Sequence, residues 1–112
     1  MNILIVDDEA GLRRGLHKRL EVESYQVYEA ADSSEMFGIL ERNSIQIILL
    51  DLKLAHEDGH TLLSEIKNRE PQTSVIIITG YGTIKSAVAC MKDGAVNYLT
   101  KPIDQEMLLA TI

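Results

Sequence analysis

Four short groups of residues hold the reactive side chains of this 112-residue chain: Asp7-Asp8-Glu9, Asp51, Thr79 and Thr100-Lys101. Asp7, Asp51 and Thr79 follow the aliphatic runs Ile3 to Val6, Ile45 to Leu50 and Ser74 to Ile78, and Thr100-Lys101 follows a fifth strand, Ala95 to Leu99. Runs that are apolar on both sides of the pleat read as central strands of a parallel sheet with both faces covered. In open α/β sheets the carboxyl ends of such strands are where ligands bind. Asp51 ends the longest of these runs, and the other groups supply it with partners. Carboxylates brought together repel one another and need a positive partner. With no His or Cys among them, the oxygen donors select a hard cation. Mg²⁺ suits best, because it takes one or two carboxylates, keeps several waters and leaves room for phosphate oxygens. A metal and a Lys beside a carboxylate are what phosphoryl transfer needs, since the transferred group is strongly anionic. A carboxylate can itself be the acceptor, giving an aspartyl phosphate.

The elements that must position these groups alternate between short apolar runs and helical-period segments, the sequence form of repeated βαβ units. The first strand is predicted over 2–6, followed by a helix over 10–21 with Leu12, Leu16 and Leu20 as its stripe. A second strand spans 25–30. Asp32-Ser33-Ser34-Glu35 has the form of a capping box and opens a helix that buries Met36, Phe37 and Leu40. The nine-residue span Asp51 to Gly59 then leads to a third helix marked by Leu62, Leu63 and Ile66. A fourth strand over 74–78 and a Gly80-Tyr81-Gly82 turn precede a fourth helix over 83–93. Ile84, Val88 and Met91 are expected inward on it, and Gly94 stops it. A fifth strand over 95–99 and a last helix capped by Asp104 complete the chain. The expected fold is an α/β doubly wound five-stranded parallel sheet, flavodoxin-like, order 2-1-3-4-5, with helices on both faces. That order makes the four reactive strand ends neighbours.

The length allows one domain. With 46% hydrophobic and 25% charged residues the composition is globular. A net charge of -6 makes the domain a poor ligand for nucleic acid or anionic membrane. One cysteine, Cys90, excludes an internal disulfide and fits a reducing compartment. No run approaches the roughly 18 apolar residues of a membrane helix, and the expected location is cytoplasmic. The last helix is short and ends on an apolar residue, whereas domain boundaries usually fall in polar linkers. Residues 1–112 are therefore expected to be one domain cut within or near its last helix, without its output domain.

Particular stretches carry a family resemblance: ILIVDDE near the start, IILLD at Asp51, Asp58-Gly59, VIIITG around Thr79 and YLTKP from Tyr98 to Pro102. In these the chain resembles the receiver domains of bacterial two-component response regulators, most closely the nitrogen-regulatory transcription-activator subclass. The resemblance implies Asp51 as phosphoacceptor, and Asp7, Asp8 and the backbone carbonyl of Lys53 as further Mg²⁺ ligands. It implies that Lys101 contacts the phosphoryl group, that the Lys101-Pro102 bond is cis, and that Thr79 and Tyr98 form the switch pair. It also implies a histidine kinase or phosphotransfer protein as partner. The output domain, ATPase or DNA-binding, would be covalently linked. A homodimer would form through the helix 4–strand 5–helix 5 face, with Ile84, Val88 and Tyr98 as apolar candidates. Leu54 and Ala55 stand where the family often has Met-Pro, which should loosen the loop without removing a ligand. Lys53 and Tyr81 flank the site mouth and are expected to tune phosphoryl lifetime.

Other readings compete. A phosphatase using Asp7 as nucleophile would resemble Asp-x-Asp after the first strand, whereas here the acids are adjacent. A flavin-binding module needs a phosphate cradle there, which three acids would repel. A receiver without phosphotransfer would lack one of the chemical groups, yet all are present. His17, His56 and His60 are expected to be exposed, Cys90 to be a small buried hydrophobe, and Arg13 to Arg19 to be a solvated helix face. By the same resemblance the first helix is a candidate docking face for the kinase.

Overall fold

The computed structural model describes residues Met1–Ile112. Five strands build the main sheet: β1 (Asn2–Val6), β2 (Gln26–Ala30), β3 (Ile47–Asp51), β4 (Ser74–Thr79) and β5 (Asn97–Thr100). All pair in parallel, in the spatial order β2-β1-β3-β4-β5. Five helices connect and follow them: α1 (Ala10–Val22), α2 (Ser33–Arg42), α3 (Gly59–Arg69), α4 (Ile84–Lys92) and α5 (Gln105–Thr111). This is the flavodoxin-like order expected from the sequence.

Alternation along the strands separates two cores. Leu4, Val6, Ile48, Leu50 and Ile77 pack with Met36, Leu63, Ile66 and Cys90 on one face. Ile3, Ile5, Leu49, Ile76 and Ile78 pack with Leu16, Leu20 and Leu108 on the other. A sheet buried on both faces can use aliphatic residues at every position, which is why these runs do not alternate with polar ones.

The helix starts are set by short acids and hydroxyls. Asp32 accepts from the Glu35 amide at 2.9 Å, and Glu35 reaches back to the Ala31 amide at 2.7 Å. Asp58, Thr83 and Asp104 cap α3, α4 and α5 in the same way. Gly94, with φ +103°, ends the α4 segment in a conformation that favours glycine. At Gly59 the need is space: a Cβ there would lie 2.3 Å from the Leu52 Cα.

Three expectations are corrected. Ile84, Val88 and Met91 point outward, 86%, 47% and 46% exposed, while Cys90 is the buried residue of α4. This helix has two apolar stripes, and its sheet-facing side takes the smaller residues, which allow close approach. Phe37 is only partly buried, its ring covered by the Arg69 guanidinium at 4.1 Å. The span after Asp51 is not a plain loop: Lys53–Leu54 and Glu57–Asp58 form a two-residue antiparallel ribbon. Strand ends shift by one to two residues, and β5 runs on to Thr100.

Candidate functional site

The winding of the sheet reverses between β1 and β3, and there the acids meet. Val6 pairs with Leu50, so Asp7 and Asp51 leave the sheet side by side. Thr79 pairs with Thr100 on the far side of β3, which sets Lys101 across the same end. These ends border a crevice of about 330 Å³ lined by Asp8, Glu9, Asp51, Lys53, Tyr81 and Lys101.

Lys101 Nζ is the hub. It donates to Asp51 Oδ2 at 3.1 Å and Glu9 Oε1 at 2.9 Å, and lies 2.9 Å from Asp7 Oδ2. The contact with Asp7 is ionic, for Oδ2 is buried with no well-directed hydrogen-bond donor. The other Asp51 oxygen, Oδ1, accepts from the Lys53 amide at 3.1 Å. Carboxylate oxygens of Asp7, Asp8 and Asp51 lie within 4.8 Å of one another. Lys101 thus contacts three carboxylates, with that of Asp8 beside them, and negative charge remains in excess.

Burial raises the Asp51 pKa above 3.8, more than the bonds from Lys53 and Lys101 lower it. For Lys101 burial is the largest single cause and acts downward, but its contacts with Asp7, Glu9 and Asp51 together outweigh it. The net shift is upward, so the lysine is firmly cationic. An all-oxygen donor set, a buried oxygen without a donor and uncompensated charge together fit a hard divalent cation.

Thr79 is buried, and its Oγ1 accepts from the Tyr81 amide at 3.2 Å. Tyr98 is half-buried with its hydroxyl enclosed and unpartnered. Its ring lies against Gly82, where a Cβ would come within 3.3 Å of Tyr98 Cε1. The Lys101-Pro102 bond is cis, as the resemblance implies. Lys53 and Tyr81 meet at the mouth, the ammonium 4.2 Å from the ring centroid.

Other residues depart from their expected surroundings. His17 and His60 are half-buried, not exposed. His17 Nδ1 donates to Glu29 Oε2 at 2.7 Å, and His60 lies 3.1 Å from Ser86 Oγ and 3.6 Å from Cys90 Sγ. The basic face of α1 is divided: Arg14 and Lys18 are exposed, but Arg13 turns in and donates to the Asp7 carbonyl at 2.6 Å. The sequence signals for these were weak, because helical periodicity assigns charged residues to solvent. The bonds from Ser33 to Glu57, which tie the ribbon to the start of α2, had no sequence signal at all.

Residues 3–112 match the family model described as response regulator receiver domain. The transcriptional regulatory protein GlrR of Escherichia coli K12 is 37% identical over 111 residues, covering 99% of this chain and 25% of that protein. The chain thus spans about a quarter of the length of such curated relatives. A Burkholderia pseudomallei response regulator, solved with a phosphorylated aspartic acid, a calcium ion and citrate, superposes with a TM-score of 0.92. It is 33% identical, over 98% of this chain and 65% of that one. The beryllofluoride-activated NtrC4 receiver domain dimer gives 0.93 at 34% identity, over 98% and 91% of the two chains.

Proposed function

Because the chain belongs to the response regulator receiver domain family, we propose that Asp51 is its phosphoacceptor and that the domain is a phosphorylation-controlled switch. The observation that carries this reading is the Lys101 ammonium 3.1 Å from Asp51 Oδ2, beside the carboxylates of Asp7 and Asp8. The donor is the phosphohistidine of a histidine kinase or phosphotransfer protein. An Asp51 carboxylate oxygen forms the new bond to phosphorus and the phosphorus–nitrogen bond breaks. The electron pair returns to the imidazole, which takes up a proton.

Asp7, Asp8, Asp51 and the Lys53 carbonyl would hold Mg²⁺, whose chemistry is to neutralise charge on the phosphoryl oxygens. Lys101 supplies the second positive charge. It already sits against the acceptor, so little reorganisation precedes the step. Thr79 then turns its hydroxyl from the Tyr81 amide to a phosphoryl oxygen, and the Tyr98 ring follows into the space released. A local change of charge is thereby read out on the face of α4, β5 and α5.

That face joins two copies on phosphorylation, and an ATPase or DNA-binding output domain covalently linked to residues 1–112 receives the signal in the cytoplasm. The solved NtrC4 receiver dimer supports the first point, and the length of the relatives supports the second. The decisive experiment is labelling with acetyl phosphate and Mg²⁺. The chain should gain one acid-stable, base-labile acyl phosphate, and Asp51→Asn should gain none. Equal labelling of the variant would remove the assignment.

A further inference from the structure

Asp7 is bonded at almost every polar atom. Its amide donates to the Ala30 carbonyl of β2 at 3.1 Å. Its Oδ1 accepts from the Glu9 amide at 2.8 Å, closing the turn into α1. Its carbonyl accepts from Arg13 Nη1 at 2.6 Å. Only Oδ2 is left without a directed donor, and it faces the crevice beside Lys101.

Arg13 is itself held. Its Nε donates to Glu29 Oε1 at 3.1 Å, and the other oxygen of Glu29 takes the His17 bond. Arg13 is only 16% exposed and Glu29 25%, so the pair is shielded from most solvent screening. The planar guanidinium presents two donors in fixed relation, one to β2 through Glu29 and one to the β1–α1 corner. A lysine is shorter and presents its donors from a single point, without that fixed fork.

We infer that Arg13, anchored by Glu29, is a positioning residue for cation binding: it fixes the Asp7 backbone so that Oδ2 points at the metal position. This rests on the reading of Asp7 as a metal ligand given above. Groups that orient ligands from behind are worth about 10- to 100-fold in metal affinity. Arg13 adds a steric and electrostatic hold on the corner without touching the cation or the phosphoryl group.

The test is calorimetric titration of Mg²⁺ into the 112-residue chain, together with acetyl phosphate labelling across Mg²⁺ concentration. Arg13→Ala should weaken Mg²⁺ binding by about 10-fold or more and raise half-saturating Mg²⁺ for labelling equally. The rate at saturating Mg²⁺ should stay near that of the parent chain. Arg13→Lys should fall between the two. Unchanged affinity in a folded Arg13→Ala chain would overturn the inference, as would a loss of maximal rate with affinity intact. Should Arg13→Ala not fold, Glu29→Gln keeps the arginine and removes its charged anchor; a several-fold weakening is then expected, and no change overturns the claim. A parent chain that binds Mg²⁺ but takes no label sinks the phosphoacceptor reading and leaves the role of Arg13 standing. One that binds no Mg²⁺ sinks both.

Discussion

At the scale of single residues, burying a carboxylate has a cost, and it falls on Asp51. Its folded-state pKa lies above 3.8 because burial outweighs its hydrogen bonds. A carboxyl raised in this way holds its proton more tightly when folded. Its contribution to stability is present below the unfolded value and is lost as pH rises through the folded one. Without metal at neutral pH, ionised Asp51 therefore destabilises the domain. Asp51→Asn in chelator should raise the thermal midpoint by a few degrees at pH 7, and the difference should shrink as pH falls toward 3.8. A lower midpoint for the variant would mean that the Lys101 pair outweighs burial. Mg²⁺ should stabilise the parent chain by mass action and the Asn variant far less. The gathering at the strand ends was legible in the sequence because Asp7, Asp51 and Thr79 directly follow aliphatic runs. Arg13 was not, since nothing in a run of basic residues says which one turns inward.

At the scale of elements, strands were easier to read than helix faces. The continuous aliphatic runs of β1, β3 and β4 suit a doubly covered sheet, and the more mixed β2 and β5 were found as well, with ends shifted slightly. For α4 the pattern is ambiguous: Ile84, Val88 and Met91 form one stripe, and Ala87 with Cys90 another. Packing, not hydrophobicity, decided between them. The inner stripe is held by a polar contact, His60 on α3 with Ser86 and Cys90 on α4. His60→Ala should remove it at a cost of about 1 kcal/mol. Amide exchange should quicken across Ile84–Lys92 while the β1 and β3 amides stay protected. Uniform acceleration through the sheet would show instead that the contact supports the whole fold.

At the scale of the whole molecule, three of the exposed large apolar residues, Ile84, Val88 and Met91, lie on α4. Ile84 is 86% exposed, and Val88 and Met91 share its helix face. Soluble domains seldom leave such residues uncovered without use. Ile84→Asp combined with Val88→Asp should leave acetyl phosphate labelling of Asp51 unchanged. In sedimentation velocity with beryllofluoride the parent chain should dimerise and the double variant stay monomeric. A dimer that persists in the variant would move the interface elsewhere. The topology itself was legible, since five strands and right-handed crossovers leave few arrangements.

An all-parallel sheet also gives the molecule a working rim and an idle one. The crevice residues Asp7, Asp8, Asp51, Thr79 and Lys101 sit where strands finish, while Glu23-Ser24 and Pro71-Gln72 lie where strands begin. Between Asp51 and Gly59 there is no slack, because the Gly59 amide is stitched to the Leu52 carbonyl at 2.9 Å and the two backbones touch. A fluorescent or affinity cassette spliced in after Pro71 should therefore ride on the idle rim, with label yield intact. The same cassette after Ala55 should abolish it.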